Sequence, residues 1–241
     1  MGASQGAEEN VRIAAESGLR RFLARARDLV MQAVHRFSAT PNPDAVYAAK
    51  PVWMQDVDRI MNALTPALQE GWAAAHLPES YRPDDPYIQA NLALTRNLLV
   101  GIPDEVHALI VRQVLDGADR GQDNGVISRR VDDVLDYSGS QNWPYRASVI
   151  AQTESNRHYN SSLLAHGLLV QQQDGSIFIK EWQTLTDGRE RPAHRIADHQ
   201  VQLLHMPFMV GGEPLQFPCA PEGKANNVCG CRCGMTLKRV D

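Results

Sequence analysis

No run of apolar residues in this sequence approaches the roughly 18 needed to cross a bilayer, so no membrane-spanning helix is expected. The opening residues, Met1-Gly2-Ala3-Ser4-Gln5-Gly6, lack the charged-then-apolar layout of a signal peptide. Gly6 also stands where a myristoylation signal needs Ser or Thr. Neither sign of charge dominates. Lys+Arg 24 against Asp+Glu 28 gives a net charge of -4, which removes any whole-protein electrostatic argument for nucleic acid and leaves only local basic patches. There is no internal repeat and no low-complexity tract. With 43% hydrophobic and 22% charged residues over 241 positions, wholesale disorder is excluded. The length suits one large domain or two small ones with a real core. The expectation is a soluble protein made in a reducing cytoplasm.

Cysteine is scarce and unevenly placed. Cys229, Cys231 and Cys233 alternate, and Cys219 lies ten residues before them. Disulfides are disfavoured in the cytosol, and a C-x-C pair closes only a strained ring. Clustered thiols there more often bind metal or stay free.

Most of what is present is helical. Val11, Ala15, Leu19, Phe22, Ala26, Leu29, Ala33 and Phe37 recur at steps of three and four, so the first forty residues read as one long amphipathic helix. Arginines 12, 20 and 27 flank the stripe on one side and arginines 21, 25 and 36 on the other, as a solvated rim or as a contact for an acidic or nucleic-acid partner. Gly18 costs such a helix about 1 kcal/mol relative to Ala. After the turn formers Thr40 to Asp44, a second stretch runs from about Pro51 to Ala75 and is kinked or ended by Pro66. Further helices are expected over Tyr87 to Val100, after Ile102-Pro103-Asp104-Glu105, over Ile127 to Leu135, and from Asn142-Trp143-Pro144 to about His166. The inner face of the last one mixes Val149, Ile150, Leu163 and Leu164 with Thr153, Asn156 and Asn160. Five histidines (35, 76, 107, 158 and 166) stand at no ligand spacing and suit surface or cap positions. The tryptophans Trp53, Trp72 and Trp143 read as packing anchors.

After Gly167 the texture changes. Ser176 to Trp182 is β-branched and aromatic and reads as a strand. Short apolar pieces follow, Val201 to Leu204 and Pro207 to Val210, among Gly, Pro, His and Cys. The fold expected is α+β, mainly α: a long-helix region over 1–76, a helical part over 77–170, and a β/loop module over 171–241. That last piece is too short to build much core alone, and needs a metal, a partner or the helical part to hold it.

Four uses compete for its polar residues, Trp182-x-Thr184-x-x-Asp187-Gly-Arg189-x-Arg191-Pro192-x-His194 and the cysteines beyond. One is a structural zinc on Cys231, Cys233 and His194, with Cys229, Cys219 or His199 as the fourth ligand. A second is hydrolysis by Asp187 and His194, on a metal or as base and acid, although no His-Glu-x-x-His or Gly-x-Ser-x-Gly pattern supports it. A third is structural: Asp187 caps a turn and pairs with Arg189 or Arg191, with Glu154 as a further partner. The fourth is nucleic-acid binding by a short basic tail of Lys224, Arg232, Lys238 and Arg239.

The order of these pieces resembles a known family. Arg146, then Ala147-Ser-Val-Ile150-Ala151-Gln-Thr153-Glu154-Ser-Asn156-Arg157, is similar to the R-x-x-x-I-A-x-T-E-x-x-R helix of the tailed-phage head-morphogenesis family, the Mu F-like minor head proteins. The block from Trp182 to His194, then Pro207-Phe208, Gly211 to Leu215, Pro218 and the closing Cys231-Arg232-Cys233 follow in the family's order, over about residues 103 to 233. The resemblance implies a non-enzymatic virion protein in few copies at the portal vertex, acting in head assembly, head-to-tail joining, DNA packaging or delivery. Its implied partners are the portal protein and neighbouring neck or capsid proteins, in a cyclic arrangement, with packaged DNA as a further contact and no membrane. Some relatives carry Cys-x-x-Cys where this chain has Arg191-x-x-His194, which with the closing Cys-x-Cys would make a four-thiolate site. Here Cys229 is the candidate for the missing ligand beside His194, Cys231 and Cys233. Phe22 and Leu29, on the long helix, are the expected portal or oligomer contact. The chain ends soon after Cys-Arg-Cys, so no further effector domain is expected. The competing classes are a metal-dependent nuclease or hydrolase acting in packaging or entry, and a DNA-binding internal head protein.

Overall fold

A computed structural model describes residues 2–37 and 39–240, with the side chains of Ala33, His35, Arg36 and Phe37 outside that description. In chain order the elements are α1 (Gln5–Phe37), a 3-10 helix (Pro43–Ala49), α2 (Lys50–Ala63), α3 (Thr65–Ala74), α4 (Pro86–Val100), α5 (Ile102–Asp119), α6 (Asn124–Leu135) and α7 (Trp143–Asp174). Then come β1 (Phe178–Gln183), α8 (Pro192–Ala197), β2 (Val201–Leu203), β3 (Phe208–Val210), β4 (Glu213–Leu215), α9 (Ala225–Val228) and β5 (Gly234–Arg239). The fold is α+β, mainly α. Among the described residues no helix is long and apolar enough to cross a membrane.

Helix ends follow local chemistry. Pro66 lies in the first turn of α3, where its missing N–H costs nothing, and the expected break falls just before it, at Leu64. Pro103 opens α5, with Asp104 and Glu105 at the positive end of the helix dipole. Asp123 caps α6, its carboxylate accepting from Val126 N at 2.9 Å.

The chain divides into two compact units, both discontinuous in sequence: Met1–Arg12 with Met61–Thr95 and Val149–Asp241, and Ile13–Ile60 with Arg96–Ser148. In the second unit the stripe of α1 is core. Ala15, Leu19, Phe22, Ala26 and Val30 are fully buried. The Phe22 ring lies 5.9 Å from that of Trp53. Trp53 is anchored by its Nε1, which donates to Leu99 O at 2.7 Å. A Cβ on Gly18 would come within 2.7 Å of Asp56 Cβ, so the residue that weakens the helix is the one that admits α2. Arg20, Arg21 and Arg27 lie at the solvated rim: Arg21 and Arg59 close over buried Asp56, Arg20 lies over Tyr137, and Arg27 Nε meets Asp132 at 2.6 Å, while Arg36 falls outside the described side chains. This corrects the expected role of Phe22, whose ring has no surface left to offer a partner. Leu29 is half-buried beside the same face.

In the first unit β1 is the centre of a three-stranded antiparallel sheet, order β2-β1-β5, with Glu181 opposite Val201 and Trp182 opposite Met235. The pair β3-β4 is a hairpin turned by Gly211-Gly212, both at positive φ (60° and 80°). Alternation along β1 buries Phe178, Lys180 and Trp182. Lys180 is accommodated because its Nζ donates to Gln216 O at 2.7 Å and Gln216 Oε1 at 2.8 Å. One apolar cluster joins Phe178, Trp182, Phe208, Phe217 and Met235 to Tyr159, Leu163 and Leu164 of α7. The terminal module therefore leans on a helix, as its small size requires. That helix does not stop near His166. It runs to Asp174, passing through Gly167, where a Cβ would crowd Leu237 at 2.6 Å.

Candidate functional site

The site is organised by one polar face of α7. Thr153, Asn156 and Asn160, three and four residues apart, share that face. Opposite lie the cysteine loop, residues 230–233, and the first residues of β5, whose backbone groups need partners once buried. Gly230 N donates to Thr153 Oγ1 at 2.8 Å. Asn156 Nδ2 donates to Cys231 O at 3.1 Å and to Cys233 O at 2.7 Å. Met235 N donates to Asn160 Oδ1 at 3.0 Å. Beside these contacts Arg157 and Glu154 form a buried ion pair, with Arg157 Nη1 2.9 Å from both carboxylate oxygens. Arg157 Nε donates to Cys219 O at 2.9 Å, and Thr95 Oγ1 donates to Glu154 Oε2 at 2.6 Å. The Thr-Glu-x-x-Arg run is thus a clamp on the cysteine-bearing loops.

The clamp and α8 together create the thiol–imidazole cluster. Pro192 opens α8 and so directs His194 inward, where it is buried. His194, Cys231 and Cys233 offer ligand atoms within 4.8 Å of one another. His194 Nδ1 lies 3.3 Å from Cys233 Sγ and 3.6 Å from Cys231 Sγ. A tetrahedral zinc with bonds of about 2.0–2.1 Å to nitrogen and 2.3 Å to sulfur spaces such ligands about 3.5 Å apart, so the three atoms fit. The ring is also correctly oriented. Asn227 Nδ2 donates to Val210 O and Glu213 Oε2, both at 3.0 Å, which leaves Asn227 Oδ1 to accept from His194 Nε2 at 2.8 Å. The Nε2 proton leaves the Nδ1 lone pair facing the thiols, the arrangement usual for a metal-bound imidazole. Cys233 N points at Cys231 Sγ at 3.4 Å. A hydrogen bond with Cys219, and then burial, holds the Cys231 thiol well above its ordinary pKa, and a hydrogen bond with Cys231, and then burial, does the same for Cys233.

Cys229, expected as the fourth ligand, is half-buried and lies outside this group. Trp182 is fully buried, edge-on to His194 with ring centroids 5.7 Å apart. Its Nε1 donates to Thr184 Oγ1 at 3.1 Å, and that hydroxyl donates to His194 O at 2.8 Å. Asp187 does cap a turn, accepting from Arg189 N at 3.1 Å, and it pairs with Arg189 at 2.6 Å. Its second partner is Arg232, at 2.5 Å, rather than Arg191 or Glu154. These guanidiniums, Arg232 first, hold the Asp187 carboxyl far below the usual range, which makes it a poor base. Arg191 bonds the carbonyls of Asn227 and Cys229. Arg146 belongs to the other unit, where it pairs with Glu105 and covers the Trp143 ring. In the tail Lys224 meets Glu213 at 3.3 Å and Arg239 meets Asp174 at 3.5 Å. Two histidines expected at the surface are buried: His158 bonds Glu154 O, and His166 stacks on Trp72 at 4.3 Å. Asn227 was missed because nothing in its neighbourhood of sequence marks it.

A helical protein whose small, cysteine-bearing sheet is clamped to one polar helix face is the class that this fold and site define. The chain belongs to the Phage Mu protein F like family, which matches residues 108–236 and so covers α7, the clamp and the thiol–imidazole cluster. It is a head-related structural protein of a bacteriophage. No curated protein and no solved structure matches the chain.

Proposed function

We propose that the chain is a minor head protein at the portal vertex of a tailed phage. In this reading it is present in few copies arranged cyclically, touches the portal protein and neighbouring neck or capsid proteins, and serves head-to-tail joining and DNA packaging or delivery. The observation that carries the reading is the family match over residues 108–236, which takes in the clamp and the cluster together. The His194/Cys231/Cys233 centre then has a structural task. One zinc would tie α8 to the loop before β5, adding covalent-strength bonds to a module too small to be held by its own core. The test is to purify particles and precursor heads, quantify this chain's peptides by mass spectrometry, and locate it by cryo-electron microscopy. A few copies per particle at the portal-bearing vertex are expected. Absence from both, or a distribution over the whole shell, would overturn the proposal.

A further inference from the structure

Three protein ligands leave a tetrahedral metal one position short. The other two cysteines do not fill it. The Cys219 thiol hydrogen-bonds with the Cys231 thiol, donates to Cys231 O at 3.4 Å and accepts from Asn156 Nδ2 at 3.6 Å, and both it and Cys229 lie outside the group whose ligand atoms converge within 4.8 Å. A cavity of about 140 Å³ lies beside the cluster, and His194, Cys231 and Cys233 all contribute to its wall. The rest of that wall carries a surplus of positive charge. Arg189, Arg191 and Arg232 line it together with Glu190. Glu190 is paired with Arg195 at 2.8 Å, Asp187 is shared by Arg189 and Arg232, and Glu8 lies within electrostatic range of Arg232. Four guanidiniums therefore face three carboxylates. Arg191 spends its hydrogen bonds on two neutral carbonyls, which leaves its charge in place. Zinc on two thiolates and a neutral imidazole is itself uncharged, so the surplus positive charge of the wall decides what the cavity attracts.

From this arrangement we infer that the metal centre keeps a fourth, exchangeable position that opens into the guanidinium-walled cavity and takes a small anion there. The inference rests on the zinc reading above but not on the virion role. With zinc held by His194, Cys231 and Cys233, that position would be open to solvent and to a carboxylate or similar small anion. Arg191 and Arg189 steer the incoming charge.

The experiment uses the full chain loaded with Co²⁺ in place of zinc and titrated with sodium azide. One equivalent of cobalt should give the absorption of a tetrahedral cobalt–thiolate centre, and azide should shift its ligand-field bands saturably. Cys219→Ser and Cys229→Ser should keep the bands, whereas Cys233→Ser should lose them. Arg189→Gln should weaken azide about threefold, the weight of one exposed charge, at unchanged cobalt stoichiometry. Failure to take up cobalt would remove the metal reading and this inference together. Uptake with bands that azide leaves unmoved would remove only the open position. Loss of the bands in Cys219→Ser or Cys229→Ser would reveal a fourth thiolate and overturn it equally, and an Arg189→Gln titration identical to the parent would remove the cationic wall.

Discussion

Two helices of similar length, α1 and α7, are buried by opposite means. Along α1 the buried residues of the second unit are hydrocarbon, Ala15, Leu19, Phe22, Ala26 and Val30, and the opposite side carries arginines paired in solvent. Along α7 every residue from Thr153 to Gly167 is buried, and most of them are polar. Hydrocarbon burial is strong but non-directional, so it specifies that something apolar lies across, not what. Hydrogen bonds from a buried face specify particular atoms opposite, because each group left without its partner costs about 1–3 kcal/mol. The polar helix is the one inside the family-matched segment. It selects a loop sequence, and through that loop the geometry of the thiols.

The comparison predicts a ranking of losses. The largest belongs to the buried pair on α7. Arg157→Leu leaves Glu154 charged without its main partner and takes the donor from Cys219 O, so a loss of about 3–5 kcal/mol is expected in urea unfolding. If the loss stays below about 1 kcal/mol, the clamp is not what holds the loops. Phe22→Ala comes next. It removes a fully buried ring from beside Trp53, at about 3 kcal/mol. Near-neutral stability together with lost incorporation into particles would restore Phe22 as a partner contact. Asn156→Ala follows at about 2 kcal/mol, and it alone should also loosen cobalt binding, because it frees the Cys231 and Cys233 carbonyls.

This contrast also explains what could be read from the sequence. The stripe of α1, the break before Pro66, the proline and two acids in the first turn of α5 and the strand around Phe178 to Trp182 were legible because each follows from periodicity or local chemistry. Thr153, Asn156 and Asn160 were visible as polar residues on an inner face, but what they faced was not. Their partners across the cluster include backbone atoms 73 to 77 residues away. β5 escaped notice because Lys238 and Arg239 look like a solvated tail, and only pairing with β1 makes them a strand. The compact units are interleaved in sequence, whereas the three segments 1–76, 77–170 and 171–241 were drawn from changes of texture along the chain. Of the thiol–imidazole cluster, Cys231, Cys233 and His194 could be named in advance. Cys229 could not be told from them by spacing, since it alternates with the other two; it differs in being half-buried and outside the cluster.

A pH titration probes the polar helix from another side. Burial holds His158 below its ordinary pKa, with its Nδ1 2.8 Å from Glu154 O and its Nε2 without a partner. Below about pH 6.5 the unfolded chain takes up a proton that the folded chain refuses. The contribution is complete above that pH and shrinks as the pH falls, by at most about 1.4 kcal/mol per unit. His166 is shifted the same way, first by burial. A His158→Leu variant should therefore lose stability less steeply than the parent between pH 6.5 and 5. Parallel slopes would mean that His158 charges in the folded state.

The smallest effect belongs on the solvent side of α1. Arg27 and Asp132 are joined by two hydrogen bonds at 2.6 and 2.7 Å, good geometry by any measure, and the Asp132 carboxylate is the first cause of the raised Arg27 pKa. Yet their side chains keep 50% and 33% of their exposure. Water screens such a pair, and two long side chains lose freedom in making it. Arg27→Ala should cost less than about 1 kcal/mol, and that cost should shrink further in high salt. Glu154 and Arg157 have the same chemistry with 8% and 5% exposed, so a double-mutant cycle on each pair isolates burial as the variable. Equal coupling energies would break the distinction between the two helices; a several-fold larger coupling on α7 would locate the specificity of this fold in its polar helix.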